Sequence, residues 1–116
     1  MRLHILAAAL FSSAVSLTAA NPLTITASPA RSFAPTTLTI RVQVEPDAVN
    51  RELEVVAESS EYYRSSRLPL EGAGAPRTTS FEMKNLPGGN YEVRGVLIDV
   101  AGRRRAAART QVVIIE

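Results

Sequence analysis

Residues 37–44 read Thr-Leu-Thr-Ile-Arg-Val-Gln-Val, the clearest periodic run in the chain. Leu38, Ile40, Val42 and Val44 fall on one face of an extended chain, and Thr37, Thr39, Arg41 and Gln43 on the other. Successive side chains of a strand point to opposite sides, so strict alternation is the mark of a half-buried strand. Pro46 ends the run, because it has no N–H to give to a ladder.

The same period appears on both sides of this segment. Upstream, Leu23, Ile25 and Ala27 alternate with Thr24 and Thr26 until Pro29 stops them, and a loop follows around Phe33 and Pro35. Downstream, Arg51 to Glu58 places Leu53, Val55 and Ala57 inward and Glu52, Glu54 and Glu58 outward. Thr79, Phe81 and Met83 alternate with Ser80, Glu82 and Lys84. Residues 91–100 direct Tyr91, Val93, Gly95 and Leu97 inward, with Val96 and Ile98 marking partial cover on the other face. The last run, 106–115, turns Ala108, Thr110, Val112 and Ile114 inward. Tyr62 to Leu70 reads as an edge strand or a loop, with Pro69 favouring the edge. Glu71 to Pro76 reads as a flexible connection. Six or seven short strands, turn signals about every ten residues and no convincing helix predict one all-β antiparallel sandwich.

The first twenty residues stand apart. Arg2 precedes an apolar stretch, Leu3 to Val15, and small residues close the segment at Thr18-Ala19-Ala20. That order of charge, apolar run and small residues predicts a secretory signal peptide over 1–20, cleaved after Ala20. The expected products are a single domain over 21–116 and a periplasmic or extracellular location, with no membrane span after cleavage. The stretch is short for a span of about 20 residues, and Ser12 and Ser13 interrupt it.

Cleavage alters the chemistry left to the chain. Losing Arg2 takes the 13 basic residues to 12 against 11 acidic, a balance that gives no case for nucleic acid. His4 leaves with the same segment and the chain has no Cys, so the expected mature protein has neither imidazole nor thiol. Catalysis by Ser-His-Asp or Cys-His pairs, and zinc, copper or haem sites on those ligands, are then out of reach. The expectation is a protein with no cofactor that is not an enzyme.

Two turns carry a family resemblance. Residues 86–93, Leu-Pro-Gly-Gly-Asn-Tyr-Glu-Val, resemble the tyrosine corner of immunoglobulin-like and fibronectin type III domains, with Leu86 and Tyr91 as its structural residues. Asp99-Val100-Ala101-Gly102 resembles the turn before the last strand of bacterial immunoglobulin-like domains. The resemblance implies an Ig-like or fibronectin III-like sandwich of about seven strands. The antibody-type cysteine pair and tryptophan are absent, and Leu53 and Val55 are expected to fill that space.

Two clusters are candidates for partner binding. Arg103, Arg104 and Arg105 sit on a hairpin tip with Arg109 further on, and guanidinium forks suit phosphate, sulfate or carboxylate groups. Glu45 and Asp47, on a loop expected at the same end, are placed to neutralise part of that charge. Tyr62, Tyr63, Arg64 and Arg67 combine residue types that favour interfaces. Glu52 and Glu54, with Glu58 and Glu61 nearby, lie along one strand face rather than across a cleft, so they read as an exposed stripe paired with Arg94 and Arg41. Asp47, Asn50 and Asp99 offer oxygens but match no calcium-loop spacing. These readings predict a non-enzymatic exported module binding another exported protein or an acidic envelope polymer. The alternative is a structural subunit associating through its sheet edges, since Val112-Val113-Ile114-Ile115 is apolar on both faces.

Overall fold

The alternating runs become eight strands in the computed structural model, which describes residues 21–116. The expected signal peptide, residues 1–20, lies outside the described residues. The strands are β1 (Leu23–Ser28), β2 (Arg31–Phe33), β3 (Thr36–Val44), β4 (Asn50–Glu58), β5 (Tyr63–Pro69), β6 (Thr78–Leu86), β7 (Gly89–Asp99) and β8 (Arg104–Ile115). A single 3-10 turn, Gly72–Gly74, interrupts the connection from β5 to β6.

The protein is all-β with two sheets. One has three strands in the order β1-β3-β6, and the other has five in the order β2-β8-β7-β4-β5. Their inner faces share one core, in which Leu38, Ile40 and Val42 of the smaller sheet join Leu53, Val55, Val93 and Val112 of the larger. Each of these side chains is essentially buried, worth about 1.5–3 kcal/mol apiece for the larger ones. Pro69 ends β5, an edge strand of the five-stranded sheet, where the missing N–H breaks no ladder.

The segment read as a loop around Phe33 contains a strand. β2 runs parallel to β8, so the sheets are not purely antiparallel. Alternation cannot show a run of three residues, and flanking prolines argue against one. The pairing is nonetheless bracketed by main-chain bonds from Val113 N to Ala30 O (2.9 Å) and from Ala34 N to Ile115 O (2.7 Å). The first described strand, β1, lies in the small sheet, and the chain then crosses to the large one as β2.

Near the start of β7, the Tyr91 hydroxyl donates to the Pro87 carbonyl oxygen at 2.7 Å. Tyr91 is completely buried, and Tyr62 packs edge-on against it with ring centroids 6.2 Å apart. Burial also pushes the Tyr91 phenol above its ordinary value of 10.0.

Candidate functional site

The outer face of the five-stranded sheet is a lattice set by strand register. Its rows run across β5, β4, β7 and β8. Ser65, Val56, Arg94 and Arg109 form one row, and Arg67, Glu54, Val96 and Ala107 form the next. Above them stand Tyr63, Glu58, Glu92 and Gln111, and below them Pro69, Glu52, Ile98 and Arg104. Because side chains alternate, every residue in these rows projects away from the core.

Charges of like sign share two neighbouring rows of the lattice, with the Glu58–Glu92 row beside the Arg94–Arg109 row. Arg94 Nη1 donates to Glu58 (3.0 Å) and to Glu92 Oε1 (3.1 Å), while Arg109 Nη1 donates to Glu92 Oε2 (3.3 Å). Arg67 lies 3.4 Å from Glu52 and 3.5 Å from Glu54. The Glu58 carboxylate, aided by Glu92, holds the Arg94 guanidinium further above its usual range. Glutamate partners for Arg94 are therefore Glu58 and Glu92, not Glu52 and Glu54. Arg41 stands on β3 in the other sheet, between Thr26 and Ser80, and cannot reach the glutamate stripe.

One interruption in the lattice forms a groove. Val96 and Ala107 face each other in register, and the small alanine leaves a dip beside a nearly buried valine. Arg94, Arg104 and Arg109 line the dip, which encloses about 320 Å³. Arg104 makes no ion pair among the described residues. Another hollow, of about 340 Å³, lies by β1 and β3 and is lined by Asn21, Thr24, Gln43, Glu45, Arg77 and Thr78 among others. Its charged side chains, Glu45 and Arg77, are one of each sign.

The Arg103–Arg105 cluster is split by the structure. Arg105 turns toward the β3–β4 loop, donating to Asp47 Oδ2 (2.9 Å) and to Asn50 Oδ1 (3.4 Å). Buried Asn50 in turn donates to the Glu45 carbonyl (3.1 Å), so Asp47 meets the arginine charge and Glu45 supplies only its main chain. Arg103 is exposed, and its backbone N–H donates to Asp99 Oδ1 (3.0 Å). That bond, with a second from Ala101 N, holds the Asp99 carboxyl below its usual range. Arg104 alone of the three joins the groove. Asp47, Asn50 and Asp99 are each engaged within the protein, and no group of three or more His, Cys, Asp or Glu among the described residues is placed to hold a metal.

The Tyr62–Arg67 segment is also divided. Tyr62 is half-buried on Tyr91, whereas Tyr63 is 56% exposed. Arg64 reaches from β5 to the Lys84 carbonyl of β6 (2.8 Å), tying the two sheets at one edge. Arg67 is held by the glutamates. Tyr63 and Arg67 share the outer face, whereas Tyr62 turns to Tyr91 and Arg64 to β6. The groove residues Val96 and Ala107 carried no chemical signal in the sequence, and their role comes only from the register of β7 on β8.

No family model and no curated protein sequence matches the chain. Among solved structures it is similar to superoxide reductase (neelaredoxin) from Ignicoccus hospitalis, with a TM-score of 0.61 and 16% sequence identity over 79% of each chain. A likeness at that identity shows the fold alone. It also corrects the family expectation, since the similar structure is not an immunoglobulin-like or fibronectin type III domain. The two turns behind that expectation are local devices and do not fix the order of strands in a sheet. The expectations of a non-enzymatic binding module, of an edge-associating alternative and of no enzymatic activity rest on the missing imidazole and thiol, the arginine and tyrosine clusters and the apolar last strand. The similar fold belongs to an enzyme, so those expectations are withdrawn.

Proposed function

We propose that the protein recognises an anionic ligand in the groove between Arg94, Arg104 and Arg109. The observation that carries this reading is that three arginines, Arg94, Arg104 and Arg109, line one dip together with Val96 and Ala107. Guanidinium forks match the planar oxygens of carboxylate, phosphate and sulfate groups, and an apolar floor strengthens such bonds by excluding water. Glu92 and Glu58 offset part of the charge on Arg94 and Arg109, which leaves Arg104 as the free anchor.

The activity named in the similar structure is not carried over. Reducing superoxide needs a redox centre to deliver an electron, and transition-metal centres draw mainly on imidazole and thiolate ligands. The chain has no Cys, and its one His, His4, lies outside the described residues. The described residues therefore do not fit such a centre.

Export belongs to the same proposal. It is supported by Arg2, the apolar run after it and the small residues before Asn21, and N-terminal sequencing of the cellular protein tests it, with Asn21 expected first. Calorimetric titration with malonate and with sulfate tests the groove. Arg104→Ser is expected to weaken binding about tenfold, the loss of one charge-assisted hydrogen bond. Equal affinity in the variant overturns the assignment.

A further inference from the structure

Beyond the groove, we infer that the outer face of β8 and β2 is a track for an acidic polysaccharide carrying about one charge per disaccharide. This rests on the groove reading and extends it along the sheet. Outward residues of β8 are Ile115, Val113, Gln111, Arg109 and Ala107, and parallel β2 places Phe33 beside Ile115 and Arg31 beside Val113. Phe33 is 70% exposed, more than any other large apolar side chain among the described residues. Arg109 is largely in water, with 74% of its side chain accessible. Arg31 makes no ion pair among the described residues.

Spacing selects the ligand class. Val113 and Arg109 are four positions apart, so Arg31 and Arg109 stand about 13 Å apart along the strands at roughly 3.3 Å per residue. Arg104 follows about 15 Å further on. Nucleic-acid strands and polyphosphates carry charge much more densely and would meet Glu92, which stands in register with Gln111 midway along the track. A sparse polyanion can set its carboxylates on the arginines and leave neutral sugar beside Glu92. Gln111 offers hydrogen bonds to hydroxyl groups, and the ring of Phe33 offers apolar area to a sugar's C–H face.

Binding of a hyaluronate octasaccharide, which has one carboxylate per disaccharide, tests the track against malonate, which reads the groove alone. The purified protein is expected to bind the octasaccharide at least about tenfold more tightly than the disaccharide, since more contacts are made at once. Phe33→Ala and Arg31→Ser are each expected to weaken octasaccharide binding about five- to tenfold and to leave malonate binding unchanged. Octasaccharide affinity unaltered by both changes, with malonate still bound, overturns the track and spares the groove. Failure of the unaltered protein to bind either ligand overturns both. Tighter binding of an oligophosphate of equal length also overturns the track, because spacing then does not select the ligand.

Discussion

Arg94 and Arg109 stand directly opposite one another across β7 and β8, and the carboxylate of Glu92 holds both, one oxygen to each guanidinium. Like charges in register repel, so this pairing needs the acid between them. The same acid limits how strongly the two arginines attract an outside anion. Glu92→Gln is therefore expected to act in opposite directions on stability and on binding. Stability should fall by about 0.5 kcal/mol, a small value because these groups face solvent. Malonate affinity should rise about two- to threefold. Urea denaturation and calorimetric titration of one variant read both effects, and a fall in both quantities contradicts the account.

Tyr91 is the one aromatic side chain fully buried among the described residues, and its hydroxyl donates to the Pro87 carbonyl. Tyr91→Phe keeps the ring and leaves that oxygen without its donor. A loss of about 1–2 kcal/mol is expected, measured as a lower urea midpoint at unchanged slope. A midpoint equal to the parent's denies the bond any part in stability.

Neighbouring arginines on the β7–β8 turn should differ. Arg105 joins the turn to the β3–β4 loop through Asp47 and Asn50, whereas the side chain of Arg103 makes no hydrogen bond or ion pair among the described residues. Arg105→Ala is expected to cost about 1 kcal/mol and Arg103→Ala to stay within about 0.5 kcal/mol of the parent. Asn50→Ala should cost more than either, about 2 kcal/mol, because it removes a fully buried hydrogen-bonding amide. Equal effects at Arg103 and Arg105 contradict the division.

Acid sensitivity follows from Asp99. Its carboxyl is held low chiefly by the Arg103 backbone N–H, with Ala101 N adding to it. A depressed folded-state value means that the ionised form favours the fold. That contribution is complete above the ordinary carboxylate range near pH 4 and is lost as pH falls through the folded-state value. The stability gap between the parent and Asp99→Asn is therefore expected to be full at neutral pH and to close in acid. Denaturation midpoints across that range check it, and a gap independent of pH contradicts it.

Strand positions were legible because Leu38, Ile40, Val42 and Val44 alternate with outward residues and, with their counterparts on other strands, face one core. β2 was not legible, since three residues between prolines carry no period. The site was harder to read than the fold. Three consecutive arginines drew attention in the sequence, yet the β7–β8 turn sends Arg105 inward and only Arg104 to the groove. The partners of Arg104, namely Arg94 and Arg109, are brought near by a register that includes a bulge between Leu97 and Ile98. Such a shift reassigns faces, and nothing in a single chain's residue order announces it. The family resemblance failed for a related reason, because turn motifs describe hairpins and leave the arrangement of strands open.

Chemical-shift mapping with isotope-labelled protein, titrated with malonate at low salt, tests the central claim most directly. Saturable shifts clustered at Arg94, Val96, Arg104, Ala107 and Arg109, including the guanidinium signals, are expected, with their loss in Arg104→Ser. Shifts confined to Arg103 and the β7–β8 turn, or the absence of any saturable change, would contradict it.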